Sequence, residues 1–307
     1  MRPVGSTNGR KPPGGYPELS DYVGGLLAGF IEGEACFAIT KQTRGFGYRP
    51  MMSIAVRDDD TALLEELTER TKLGRTTRKP AYRTSRPQAG WQVSAKADCQ
   101  RLVQILDRHI LRGHKAPQYL IWRDAVAAWI GDDITGRRKP DEWGPFAHWK
   151  RGLESAKRYV PSAITHGTPA IAPGWEPYLA GFITAEGHFA VEEPGRARLT
   201  IHLRADDAPL LRQLRDACGL GRVSGPHKPG GLAKHPTVAW ITGSNADTLA
   251  MVELLECFPP AGRKRLEFEI WKQAVLERAV GHAWGRERVA LIRQMLMELR
   301  TYAPATP

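Results

Sequence analysis

The chain has 307 residues, enough for two domains of ordinary size, each with its own core. Hydrophobic residues make up 42% and charged residues 25%, a soluble globular balance, and no apolar run reaches the ~18 residues of a membrane-spanning helix. With 44 basic against 33 acidic residues, the formal charge of +11 favours a polyanionic partner, nucleic acid before an anionic membrane.

Residues 1–19 are rich in Gly and Pro, lack an apolar signal core and are expected to be a flexible leader. An intracellular, reducing compartment (cytoplasm or organelle) is expected. A helix over 21–34 is opened by Ser20 or Asp21. Strand-like runs follow at 35–43 and 48–57, joined by a Gly-containing turn. Residues 58–73 form a capped amphipathic helix with Leu63, Leu64 and Leu67 at helical spacing. Strands near 75–80 and 90–95 and helices over 97–110 and 116–131 complete a first half. Residues 132–172 carry Gly, Pro and Arg clusters and are expected to be a linker with some helix around 142–159. The second half repeats the order: helix 176–186, strands near 187–193 and 197–204, helix 208–218, strands near 222–226 and 236–242. Helices 246–257, 264–280 and 286–300 follow, and 304–307 is a short tail.

The two halves also match residue by residue. Residues 27–35 read LAGFIEGEA and residues 179–187 read LAGFITAEG, placing Glu34 and Glu186 at the far ends of two small-residue helices. Leu73-Gly74-Arg75 answers Leu220-Gly221-Arg222 at an offset of 147 residues. Trp91 answers Trp240, Lys115 answers Lys264 and Trp122 answers Trp271, all at 149. The offset changes only where turns are expected, as in a duplicated domain. A repeated acidic motif of this kind points to two halves meeting at one site, each giving a carboxylate.

The four cysteines are far apart, without a CxxC pair, and read as small core residues. A zinc set of Cys99, His109 and His114 matches on residue types alone.

The doubled LAGF-I-x-x-E motif, the αββαββα order and the Lys-x6-Trp spacing resemble the LAGLIDADG homing endonucleases of the single-chain, two-repeat kind. The resemblance covers roughly 20–131 and 173–303. It implies an α+β fold of two pseudo-symmetric αββαββα repeats, each with a four-stranded antiparallel sheet forming half of a DNA-binding saddle. The first copy departs from the family in ending Glu34-Ala35, without the usual Gly after the acid, so its turn must manage without glycine's freedom. Glu32 and Thr184 occupy the position of the family's earlier, variable acid.

The resemblance sets the two helices side by side, with Gly25, Ala28, Gly29 and Gly33 against Ala180, Gly181 and Ala185. Glu34 and Glu186 then lie near the pseudo-two-fold axis, where two carboxylates beside two negative helix ends repel until divalent cations neutralise them. The implied ions are two or more Mg²⁺, with Ca²⁺ expected to bind without supporting cleavage. Lys115 and Lys264 match the family's basic position beside the active site, where a cation stabilises charge developing on phosphate. They fit equally a local role as lysines at helix ends, helped by the dipole. Arg57 and Arg204, matched at the ends of the second strands, are candidate peripheral catalytic groups.

Strand alternation sorts the DNA-facing residues. In the first half these are Thr40, Gln42, Arg44, Ser53, Thr77, Lys79, Gln92 and Ser94. In the second they are Glu192, Arg196, Arg198, His202, Ser224, Lys228 and Lys234, besides Arg204. The expected activity is a metal-dependent double-strand break in a long asymmetric target of about 20 base pairs, reckoned from ten-residue strands at about 3.3 Å per residue. Short 3′ overhangs follow by resemblance, and a monomer suffices. A non-cleaving DNA-binding regulator and an intron RNA maturase of the same fold stay open, the retained Glu pair arguing against loss of cleavage. A membrane-associated basic protein fits the repeat poorly. An intein fits poorly too, because the chain lacks Cys or Ser at its start and does not end in His-Asn.

Overall fold

The structure, a computed structural model, describes residues 15–41, 47–81, 86–131, 144–161, 173–193, 195–230, 234–280 and 286–301. The expected leader falls largely, and the expected tail wholly, outside the described residues.

The first repeat runs α1 (Asp21–Glu34), β1 (Cys36–Lys41), β2 (Tyr48–Arg57), α2 (Thr61–Thr71), β3 (Arg75–Lys79), β4 (Gln88–Val93), α3 (Lys96–Arg108) and α4 (Lys115–Gly131). α5 (Gly144–Ala156) follows. The second runs α6 (Glu176–Glu186), β5 (Gly187–Glu192), β6 (Arg196–Arg204), α7 (Ala208–Cys218), β7 (Arg222–His227) and β8 (Thr237–Thr242). α8 (Asn245–Cys257), α9 (Gly262–Ala279) and α10 (Arg286–Arg300) close it. Each repeat has one four-stranded antiparallel sheet, ordered β1-β2-β4-β3 and β5-β6-β8-β7. The fold is therefore α+β with the expected duplicated topology.

The sheets have one apolar and one mixed face because apolar residues alternate. Phe37, Ile39, Met52, Ile54, Trp91 and Val93 are buried on one face of the first sheet; Phe189, Val191, Leu199, Ile201, Val238 and Trp240 are buried on one face of the second. The repeated tryptophans have the same jobs in both. Trp91 donates its indole N–H to the Leu73 carbonyl and Trp240 to the Leu220 carbonyl, each at 2.8 Å. Trp122 stands 5.3 Å from Phe37 at 46°, and Trp271 stands 5.2 Å from Phe189 at 46°. Offset, tilted ring pairs of this kind add to the energy of burial. The Lys-x6-Trp spacing thus marks the residue that carries the helix onto the first strand of each sheet.

The repeated Leu-Gly-Arg is explained by backbone geometry. Gly74 and Gly221 have φ of +63° and +72°, and a Cβ at either would collide with a backbone carbonyl of the neighbouring strand, Gln92 or Ile241. Only glycine is comfortable there. At the preceding helix end the repeats diverge: the left-handed position is Lys72 in one and Gly219 in the other.

By its contacts the chain divides into two compact units, one gathering Glu34–Arg158 with the segment before α1, the other Asp21–Gly33 with Tyr159–Ala303. Most of α1, first-repeat in sequence, is thus packed within the second unit, against α6.

Inside the stretch expected as linker, α5 packs on α4 and β1, burying Phe146 and Leu153, as α10 packs on α9 and β5, burying Val289, Ile292 and Leu296. A cation just past α5 and one ending α10 meet the same backbone site: Lys157 Nζ donates to the Phe37 carbonyl at 2.8 Å, and Arg300 Nη2 donates to the Phe189 carbonyl. α5 is therefore the counterpart of α10.

Two smaller expectations are corrected. Cys99 is buried, but Cys36 and Cys257 are exposed and Cys218 is half-buried, so the cysteines are not uniformly core residues. Gly187, after the second acid, has φ of −67°, so it is not there for left-handed freedom. A Cβ at Gly187 would come within 2.6 Å of the Ile183 carbonyl oxygen, so space is the constraint there, whereas the first repeat carries a Cβ at the equivalent Ala35.

Candidate catalytic and nucleic-acid-binding site

α1 and α6 are apposed through their small residues. A Cβ at Gly29 would collide with the Tyr178 carbonyl, and one at Gly181 with the Leu26 carbonyl, so the backbones themselves touch. Ala28 and Ala180 are wholly buried. Gly25 meets Pro177, and Gly33 meets Ala185 and then Glu186, whose Cγ a Gly33 Cβ would approach to 3.2 Å. The last full turn of α1 is therefore against the last residues of α6. Glu34, one residue beyond Gly33, ends α1, and Glu186 ends α6; both are half-buried.

The residues at the earlier acidic position seal the pair. Glu32, 2% exposed, accepts a hydrogen bond from the Tyr178 hydroxyl at 3.1 Å. Thr184 accepts from the Ala261 N–H at 2.9 Å and donates to the Ala180 carbonyl at 2.8 Å. Both serve the packing of α6.

Lys115 is the first residue of α4 and Lys264 the third of α9. Both stand at the positive end of a helix dipole, which opposes a cation, so the reading of lysines helped by the dipole is corrected. Lys115 is buried, at 7% exposed, and Lys264 is half-buried, its side chain 13% exposed. Burial pushes the Lys264 ammonium below its ordinary range, and the Glu267 carboxylate, 3.3 Å away, offsets that only in part. Burial, with the Arg300 and Lys264 charges, lowers the nearby His188.

Arg57 and Arg204 are each held by the aspartate two residues on. Arg57 Nε donates to Asp59 at 3.0 Å; Arg204 makes two bonds to Asp206, at 2.6 and 2.7 Å. Register puts Cys36 opposite Ser53, so Arg57 stands four residues, about 13 Å, further along β2. The arginines clamp the strand-to-helix corner, away from the strand start that follows each acid.

The strand faces are as alternation predicts. Thr40 is opposite Arg49 and Cys36 opposite Ser53; Ser53 is opposite Gln92, Thr77 opposite Gly90 and Lys79 opposite Gln88. All lie on the face away from Phe37 and Trp91. Ser94 follows the last β4 residue, and its carbonyl accepts from Arg49 Nε at 2.7 Å. In the second sheet Glu192 is opposite Arg196, His202 opposite Ala239 and Ser224 opposite Ala239. Glu192 is ion-paired with Arg198 at 3.0 Å, and Arg196 Nε donates to the Gly243 carbonyl at 3.4 Å. Lys228 and Lys234 are exposed outside the strands. Gln42 and Arg44 lie outside the described residues.

Sequence reasoning missed Arg75 and Arg222. Arg75 is opposite Gln92 and Arg222 opposite Ile241, so both point to the outward face, and both are exposed. The signal was available in the repeated Leu-Gly-Arg, whose arginine keeps parity with Thr77 and Ser224. Arg49, Met51 and His188 also belong to that face.

The oxygen donors fit a hard divalent cation of the Mg²⁺ kind. Among the described residues no three or more His, Cys, Asp and Glu gather as a protein-made metal cage. A cation held by two carboxylates would take the rest of its oxygen ligands from phosphate and water. The zinc set of Cys99, His109 and His114 does not form: the Cys99 thiol points to the Pro50 and Val93 carbonyls, each at 3.9 Å, and burial pushes it up to about 12.

The LAGLIDADG endonuclease family's sequence profile matches residues 27–126 and again 179–275. The chain belongs to the LAGLIDADG endonuclease family. It is a single-chain, two-repeat member, and the family's members are DNA-cleaving nucleases. No curated protein matches it. Solved structures share the fold. I-SmaMI, bound to uncleaved DNA target in the presence of calcium ions, superposes with a TM-score of 0.68 at 17% identity over 92% of this chain and 99% of that one. I-GzeII, in complex with DNA target, gives 0.67 at 16% over 90% and 98%. I-LtrWI, bound to target DNA, gives 0.68 at 13% over 91% and 97%. Among the described residues no helix of this LAGLIDADG chain is long and apolar enough to cross a membrane.

Proposed function

We propose that the protein is a site-specific, Mg²⁺-dependent DNA endonuclease that makes a double-strand break in an asymmetric target of about 20 base pairs, each sheet tracking about ten. One observation carries the reading: the close seating of Gly33 on Ala185 and Glu186, which brings the acid-bearing ends of α1 and α6 together. DNA bound by I-SmaMI, I-GzeII and I-LtrWI, proteins of the same fold, supports it.

Glu34 and Glu186 would hold the divalent ions, which when bound supply Lewis-acid polarisation of a phosphate and a more acidic attacking water. The chain's own residues do the rest. Lys115 and Lys264, largely shielded from solvent and charged, stabilise the extra negative charge on the phosphate in the transition state. Arg75, Arg196, Lys79 and Arg222 meet phosphates, while Gln92, Ser53, His202 and the Glu192–Arg198 pair lie where base edges are read. Because the two outward faces differ, the target is asymmetric. Because both repeats lie on one chain, a monomer acts, and staggered 3′ ends are expected from the family.

The test is a cleavage selection on a randomised duplex pool, with Mg²⁺ or Ca²⁺, followed by sequencing of cut ends. A Mg²⁺-dependent asymmetric site with staggered ends is expected. Enrichment in Ca²⁺ with no cutting in Mg²⁺ would leave only a DNA-binding descendant. Glu34→Gln and Glu186→Gln should each lower double-strand cleavage more than about a hundredfold while target binding persists.

A further inference from the structure

Outside the carboxylate pair, one buried cluster distinguishes the repeats. Glu267, on α9, is wholly buried. Arg263 donates to it at 2.9 Å, Lys264 reaches both oxygens at 3.3 and 3.4 Å, and Arg300 makes two bonds at 3.0 and 2.9 Å. Arg300 also donates to the Phe189 carbonyl, three residues beyond Glu186. A chain of contacts thus runs from the strand after Glu186, through Arg300 and Glu267, to the Lys264 ammonium.

The first repeat has the scaffold but not this device. At an offset of 149 residues, Lys264 is answered by Lys115, Glu267 by Gln118 and Arg263 by His114. Gln118 is also buried, at 3% exposed, but its amide donates to the His114 carbonyl at 3.1 Å. Lys157 stands on the Phe37 carbonyl as Arg300 stands on that of Phe189, a single ammonium where the other repeat has a guanidinium that also bonds Glu267. A neutral amide cannot gather three cations; a buried carboxylate can, and removing it leaves them repelling one another.

We propose that Glu267 is a positioning residue for one strand cut, fixing the Lys264 ammonium against the strand that follows Glu186, where the first repeat has Gln118 at the equivalent position. This rests on the nuclease reading above. The lysine held by Glu267 and Arg300 acts on one scissile phosphate; Lys115 acts on the other from a differently built pocket.

The experiment resolves the two strands. A duplex target carrying distinct labels on its strands is cut by excess enzyme with Mg²⁺, and each strand's single-turnover rate is followed. Lys264→Met first identifies the strand that depends on Lys264. Glu267→Gln, the isostere the first repeat already uses, should slow that strand about tenfold and leave the other within about twofold, with target affinity in Ca²⁺ unchanged. Nicked product should then accumulate. Glu267→Asp should restore part of the rate. Should Glu267→Gln not fold, Arg300→Lys, which copies Lys157, gives the same strand bias in weaker form. Equal slowing of both strands, or an unchanged ratio, overturns the proposal while leaving the nuclease reading intact. A wild-type protein that cuts neither strand of its selected target overturns both.

Discussion

The cores of the two repeats are nearly interchangeable, and their polar sites are not. Phe37–Trp122 and Phe189–Trp271 differ by a tenth of an ångström in separation and not at all in tilt. Trp91 and Trp240 bond equivalent carbonyls at the same length. Yet Gln118 stands where Glu267 stands, Lys157 where Arg300 does, and Lys72 where Gly219 does. Close packing penalises any change of volume in a core, so the apolar halves stayed alike. Surface and lysine-pocket positions bear a lighter packing constraint, and their chemistry diverged.

The helix pair offers the hardest test of that likeness. Gly29→Ala and Gly181→Ala each drive a methyl into a backbone carbonyl, and neither helix can yield without moving the other. Each should cost about 3 kcal/mol, read by urea denaturation. A loss at one position only would show that the contact is less symmetric than its sequence. Trp91→Phe and Trp240→Phe strand the Leu73 and Leu220 carbonyls and should cost about 2 kcal/mol. The larger loss is expected at Trp91, whose bond is fully buried where that of Trp240 is only partly so. At the left-handed helix ends, Gly219→Lys should destabilise by about 1 kcal/mol, because the first repeat already carries that strain at Lys72, with φ of +55°. A neutral outcome would show the strain is relieved locally, as by the ion pair of Lys72 with Glu69.

Much of the fold was legible because it is periodic. Alternation in 48–57 and the small-residue spacing in 21–34 and 176–186 gave those elements their observed bounds. The outward positions followed from the same alternation, though Arg75 and Arg222 were passed over as mere repeat markers. The helix expected around 142–159 is α5, but its likeness to α10 was not legible, because it lies in what α5 packs on and bonds to and not in its residues. The exposed Cys36 shows the limit of reading by residue type: alternation puts it on the outward face, opposite Ser53.

The sequence by itself determined the duplication, the strand faces, the two acids closing two small-residue helices and the membership of a family. Those features are local or repeated, and period and spacing encode them directly. Tertiary structure alone decided that most of α1 packs with the second unit, that Arg57 and Arg204 clamp corners, and that Glu267 gathers Arg263, Lys264 and Arg300. The first and the last depend on residues far apart in sequence, Glu32 and Tyr178 by 146 positions and Glu267 and Arg300 by 33, meeting in a buried space. There the cost of an unpaired charge selects the partners, and no local pattern records the choice.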